Sequence, residues 1–88
     1  IYLMNNYIDN LKKRLIYRSL YRGTREMDKL IGSFVKNYID EFDEKELKDL
    51  ENFLNNDDDT LYKIYNKELE NNNFNETKII NLFRNYTM

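Results

Sequence analysis

Apolar side chains recur along this chain with the period of an α-helix. Met27, Leu30, Ile31, Phe34, Val35, Tyr38 and Ile39 follow the spacing i, i+3, i+4, i+7, i+8, i+11, i+12, which is one broad apolar face. Gly32 interrupts it at a cost of about 1 kcal/mol relative to Ala. Either another backbone comes close there, or the loss is simply tolerated. Upstream, Met4, Ile8, Leu11 and Leu15 form a stripe on a helix expected from about Asn5 to Leu20, with Lys12, Lys13, Arg14 and Arg18 on or beside the opposite face. Gly23 breaks the pattern, and Arg22-Gly23-Thr24 reads as a turn.

Downstream, the helix starts are written as caps. Asp43 with Glu46 makes an acidic capping box, and Phe42 with Leu47 makes a hydrophobic staple. Leu47, Leu50, Phe53 and Leu54 then face inward. Asp57, Asp58 and Asp59 favour the positive end of a fourth helix. Its apolar face is Leu61, Ile64 and Tyr65, and Tyr62 is also expected in the core. After a polar linker, Asn71-Asn72-Asn73, a fifth helix is expected, with Asn75 as cap, Phe74 and Ile79 as staple, and Ile79, Ile80, Phe83 and Tyr86 buried. No segment alternates like a half-buried strand. The expectation is an all-α fold: a compact five-helix antiparallel bundle, one domain over residues 1–88, with 1–4 and 87–88 frayed.

Composition narrows the chemistry. There is no Cys, so no disulfide and no thiolate metal site, and no His, the usual base at neutral pH and the commonest metal ligand. The two glycines, nine positions apart, cannot build a phosphate-cradling loop. A calcium loop starting at Asp57 would need Gly where Tyr62 stands, so the three Asp residues read as helix caps. No carboxylate pair, Asp40 with Glu41 included, sits in an apolar context that would raise a pKa. A binding or assembly role is favoured over catalysis. No run approaches the ~18 apolar residues of a membrane span. Ile1-Tyr2-Leu3-Met4 lacks the pattern of a signal peptide, and Met4 is a candidate start. An intracellular, unglycosylated protein is expected.

Charge is divided along the chain. Residues 1–36 carry eight Lys/Arg and three Asp/Glu, hence +5; residues 37–88 carry six and thirteen, hence −7. Such asymmetry is expected to speak to partners and steering. From Lys12 to Arg25 there are six cations and no acid, with Tyr17 and Tyr21 interleaved. That surface suits a phosphate backbone, an acidic protein partner or plain solvation.

The segment Arg22-Gly23-Thr24-Arg25-Glu26-Met27-Asp28 concentrates the polar candidates. Gly23 permits a positive φ and a close backbone approach. Arg22 with Glu26, and Arg25 with Asp28, flank it as opposite charges. The arrangement suits a two-sign recognition knob, or a helix turn with exposed ion pairs each worth under about 1 kcal/mol.

Arg14-Leu15-Ile16-Tyr17-Arg18-Ser19, then Arg22-Gly23-x-x-Glu26-x-Asp28, Leu30-Ile31-Gly32-x-Phe34, and Asp57-Asp58 ahead of Leu61-Tyr62 together resemble the small assembly factors that promote covalent flavin attachment to succinate dehydrogenase. These are the bacterial SdhE family and its mitochondrial counterpart. The resemblance covers about residues 11–65. It implies a five-helix, non-enzymatic factor that binds the flavoprotein subunit of succinate dehydrogenase or fumarate reductase. There the partner's own His attacks the flavin methyl carbon. FAD would be the partner's cofactor, with none held stably by this chain. By motif match, the partner-binding residues would be Arg22, Gly23, Glu26 and Asp28, with Arg18 and Tyr17. A monomer in the bacterial cytoplasm, or alternatively the mitochondrial matrix, is implied, with no nucleic acid bound and no membrane insertion. One departure stands out: the family commonly has Trp where this chain has Ile64. The competing function is a small nucleic-acid-binding protein using the Lys12–Arg25 surface.

Overall fold

The helical periods become five α-helices in the computed structural model, which describes residues 2–68 and 77–88, with side chains described for 6–68 and 77–88. Helix α1 spans Tyr2–Leu20, α2 Arg25–Tyr38, α3 Glu44–Leu54, α4 Asp58–Tyr65 and α5 Lys78–Arg84, with a 3-10 turn at Ile39–Glu41 after α2. Among the described residues there is no strand. The first helix begins at Tyr2, ahead of the expected Asn5. Met4, Phe74, Asn75 and the Asn71–Asn73 linker fall where side chains or placement lie outside the described residues.

Helix starts follow the chemistry of their caps. Asp43 Oδ1 accepts from the Glu46 N–H at 2.8 Å, and Glu46 Oε1 accepts from the Asp43 N–H at 2.9 Å, so both halves of the capping box form. Asp57 accepts from the Thr60 N–H at 2.8 Å. Thr24 caps α2 and Thr77 caps α5, each accepting from the N–H three residues on. The observed cap of α5 is therefore Thr77, and the helix starts at Lys78. Helix α4 ends in a Schellman turn: the Glu68 N–H reaches Lys63 O and the Lys67 N–H reaches Ile64 O, with Lys67 at φ 61° where Gly is usual.

The core is the predicted one almost residue for residue. Leu11 and Leu15 of α1, Met27, Leu30, Ile31, Phe34 and Val35 of α2, Leu47, Leu50, Phe53 and Leu54 of α3, Leu61 and Ile64 of α4, and Ile79, Ile80 and Phe83 of α5 are all buried, with Ile8, Tyr38 and Tyr65 packed half-buried against them. Helix α1 packs on α2 and α3, and α5 closes over α3 and α4. Phe34 is the hub: its ring lies 5.1 Å from Phe83, 5.4 Å from Tyr38, 5.5 Å from Tyr86 and 5.8 Å from Phe53. Such tilted and edge-on ring pairs add about 0.5–1.5 kcal/mol each beyond burial. Tyr65 donates from its hydroxyl to Tyr86 O at 2.9 Å, and Asn37 Nδ2 donates to Tyr86 Oη at 3.0 Å, tying the segment after α5 to the core. Ile64 is fully buried.

Tyr62 corrects an expectation. It is 53% exposed, because Leu61, Ile64 and Tyr65 already complete the i, i+3, i+4 face and Tyr62 is turned about 100° away from Leu61. Gly32 has a clear reason. An added Cβ would stand 2.8 Å from Leu20 Cδ2, the tip of a flexible side chain, and at an ordinary 3.6 Å from Ser19 O, so the missing side chain makes room for Leu20 against α2. Ser19 is buried at the same crossing and donates its hydroxyl to Ile16 O.

Two carboxylates at helix starts, Glu46 half-buried and Asp57 exposed, titrate low. Glu46 is held below the ordinary carboxylate range by a hydrogen bond from the Lys78 ammonium and then by the Asp43 N–H; Asp57 is lowered by the Thr60 side chain and then the Thr60 N–H. Groups with depressed native pKa contribute stability above their unfolded values, here 4.5 and 3.8, and lose it as pH falls through the native values. The Glu46→Gln/Asp57→Asn double variant is expected to lose less stability than wild type between pH 6 and pH 3. Urea unfolding across that range measures it, and parallel curves would show that these caps do not titrate with folding.

Candidate functional site

The turn between α1 and α2 is built by two side chains that point back into the protein. The Asp28 carboxylate accepts from the backbone N–H of Arg22 and from that of Gly23. The Arg22 guanidinium reaches across to the α3–α4 corner. Its Nε donates to Asp58 Oδ1 at 2.9 Å, Nη1 to Leu54 O at 2.7 Å and Nη2 to Asn56 O at 2.6 Å. Leu54 is the last residue of α3, so a planar cation satisfies carbonyls at the negative end of that helix. Only 11% of the Arg22 side chain is exposed.

The expected pairs Arg22–Glu26 and Arg25–Asp28 therefore do not form. Arg22 pairs with Asp58, and Asp28 is occupied by backbone N–H groups. The three Asp residues before α4 split their work: Asp57 caps, Asp58 binds Arg22, and Asp59 lies 3.2 Å from Lys63. Sequence reading missed Asp58, since a run of acids at a helix start looks like capping throughout. The signal available was the long, fork-shaped Arg22 beside a Gly.

What this frame presents outward is small. Gly23 adopts φ +126°, is exposed, and has nothing within 4 Å of where a Cβ would stand. Its glycine is required by backbone conformation and not by crowding. Glu26, in the first turn of α2, is exposed and has no hydrogen-bond or ion-pair partner among the described residues. Tyr17 in the last turn of α1 and Tyr21 just past its end are 65% and 68% exposed with ring centroids 4.7 Å apart. Arg18 donates to Asn55 Oδ1 at 2.7 Å, so it leans toward α3.

The division of charge along the chain is met in part inside the fold, by three ion pairs between the basic first half and the acidic second half. Lys12 reaches Asp40 at 3.4 Å, Arg14 reaches Glu51 at 3.5 Å, Arg18 reaches Asn55, and Arg22 reaches Asp58. Four of the six cations of the basic stretch are thereby turned toward later elements. The exposed pairs are weak, each worth at most about 1 kcal/mol. No group of acids suited to a metal ion occurs among the described residues. No helix among them is long and apolar enough to cross a membrane.

The comparisons with known proteins point one way. A family model described as the flavinator of succinate dehydrogenase matches residues 13–87. The chain is similar to the mitochondrial succinate dehydrogenase assembly factor 2 of Dictyostelium discoideum, 32% identical over 79 residues, 90% of this chain and 56% of that protein. Against the protein of that name from Saccharomyces cerevisiae it is 36% identical over 58 residues, 66% of this chain and 36% of that one. Against the FAD assembly factor SdhE of Acetobacter pasteurianus it is 45% identical over 56 residues, 60% of this chain and 51% of that one. The chain thus spans between about a third and just over half of the length of these curated relatives. No solved structure matches it.

Proposed function

We propose, because this chain belongs to the family of succinate dehydrogenase flavinators, that it binds the flavoprotein subunit of succinate dehydrogenase or fumarate reductase and promotes covalent attachment of that subunit's FAD. It acts as a monomer, in the bacterial cytoplasm or the mitochondrial matrix, and binds neither nucleic acid nor membrane. The chemistry stays with the partner, since this sequence has neither His nor Cys to serve as nucleophile. The chain's part is to hold the partner in a competent arrangement.

One observation carries the site. Gly23 offers bare backbone at positive φ on a turn that Arg22 and Asp28 hold rigid from behind. A preformed, side-chain-free patch lets another backbone come close without an ordering cost at docking. Glu26 stands beside it as an acceptor without a partner among the described residues, and Tyr17 and Tyr21 supply an amphipathic aromatic ledge of the kind enriched at protein interfaces. In this reading Gly23, Glu26 and Tyr17 meet the partner, whereas Arg22, Asp28 and Arg18 position them.

In-gel flavin fluorescence of the denatured flavoprotein subunit tests the function. Cells without this protein are expected to accumulate subunit lacking covalent flavin, and unchanged fluorescence would remove the proposed role. Gly23 variants test the site. Both Gly23→Ala and Gly23→Arg carry the same backbone strain, about 1–3 kcal/mol, and neither Cβ meets a neighbour. Only the Arg side chain blocks close approach. Gly23→Arg is expected to abolish binding while Gly23→Ala retains part of it at similar melting temperature. Equal binding by the two would show that Gly23 serves the turn alone.

A further inference from the structure

Beside the Gly23 turn lies a groove of about 620 Å³ between the end of α1 and the outer side of α2, lined among others by Leu20, Gly32, Arg25, Lys29 and Lys36. At 3.6 residues per turn, Arg25, Lys29, Gly32 and Lys36 fall within about 60° of one another around α2. The three cations form one exposed stripe, and Gly32 leaves a notch in it that Leu20 partly fills. In contrast to Lys12, Arg14, Arg18 and Arg22, none of these three cations has an ion pair or hydrogen bond among the described residues. The one acid lining the groove, Asp28, spends its carboxylate on the backbone N–H groups of Arg22 and Gly23.

We propose that this stripe docks an acidic segment of the chain's protein partner, an extended or helical stretch with carboxylates along one side and an apolar residue seated over Leu20. The proposal rests on the flavoprotein reading for the identity of that partner. Charge complementarity selects the occupant. The cations are spread over about 17 Å at 1.5 Å per residue, a spacing that suits separate carboxylates along a polypeptide. A pyrophosphate concentrates its charge in one place and calls for a nest of backbone N–H groups, which the middle of a helix does not offer. Lysines, as flexible point charges, accept carboxylates without the bidentate geometry of a phosphate clamp.

Association rates with the purified flavoprotein subunit test this for wild type, Arg25→Glu/Lys29→Glu/Lys36→Glu, and the control Lys45→Glu/Lys48→Glu on α3. At low salt the stripe variant is expected to associate about tenfold more slowly or worse, since rim charges act on encounter. The control should stay near wild type, and all three should melt alike. A milder Lys29→Gln/Lys36→Gln variant replaces the reversal if its melting falls. An unchanged rate for the stripe variant overturns the proposal, as does an equal loss in the control. A DNA duplex that competes as tightly as the subunit also overturns it. A second probe separates this from the flavoprotein reading: a helical peptide with Glu at i, i+4 and i+11 and Leu at i+7. If wild type ignores the subunit yet the peptide shifts the amide signals of Leu20 and Gly32, the partner assignment fails and the acidic docking site stands. If neither binds, both fail.

Discussion

Replacing Arg22 by Ala is expected to lower the unfolding free energy by about 2–4 kcal/mol. Breaking a buried ion pair from one side costs about 3–5 kcal/mol, because it leaves the other charge uncompensated. Here the pair is partly reached by water, with side-chain exposures of 11% for Arg22 and 28% for Asp58, so the figure is set lower. The substitution also strips the Leu54 and Asn56 carbonyls of their donor. In a domain of this size each kcal/mol moves the melting temperature by about 4–8 °C, so a drop of roughly 10–25 °C is expected. Arg22→Lys should recover only part of it, since an ammonium cannot serve three acceptors set out for a planar fork. Asp58→Asn should cost less, because the two carbonyl contacts survive. Thermal melting of all three, with the Arg22→Ala/Asp58→Ala cycle, measures the coupling. A shift of only a few degrees for Arg22→Ala would mean the guanidinium is a surface group free to meet the partner. On the expected outcome, lost flavinylation in an Arg22 variant arises from a loosened turn.

Glu26→Gln is expected to do the opposite: leave the fold and weaken the complex. The carboxylate is exposed, without a partner among the described residues, and sits in the first turn of α2. Its contribution to the fold is the helix-dipole term, about 0.3–1 kcal/mol, so melting should move by a few degrees at most. In the docked interface it would meet a donor or cation of the flavoprotein. Removing one side of a buried charged hydrogen bond costs about 2–5 kcal/mol of binding, which at 1.4 kcal/mol per decade is tens to thousands of fold in affinity. Flavinylation at limiting factor should fall in step. Titration calorimetry and melting on the same preparation separate the cases. Normal affinity would sink the assignment, and a large melting shift would place Glu26 in the fold instead.

The sequence by itself determined the elements of this protein. Helix period, caps and the positions that face inward are local properties, set by spacing along the chain and by which side chain can reach an N–H three residues away. The α2 face and the Asp43–Glu46 box could both be read that way. Tyr62 lies outside the core because its angle on α4 outweighs its aromatic character. The sequence also placed the Arg22-Gly23-x-x-Glu26 element at a helix junction. What only the tertiary structure decided is which of those residues face outward. Arg22 lies 36 positions from Asp58 and 32 from Leu54, and no local rule states that a cation beside Gly23 folds back onto the end of another helix. The same holds for charge. The sequence holds six cations in one stretch, whereas packing turns four of them toward later elements and leaves Lys13 and Arg25, the latter heading the stripe with Lys29 and Lys36, without a partner among the described residues. Helix periods are short-range and repeat. The pairing of one helix end with another depends on how α1, α3 and α4 meet, and that is settled only when the core closes.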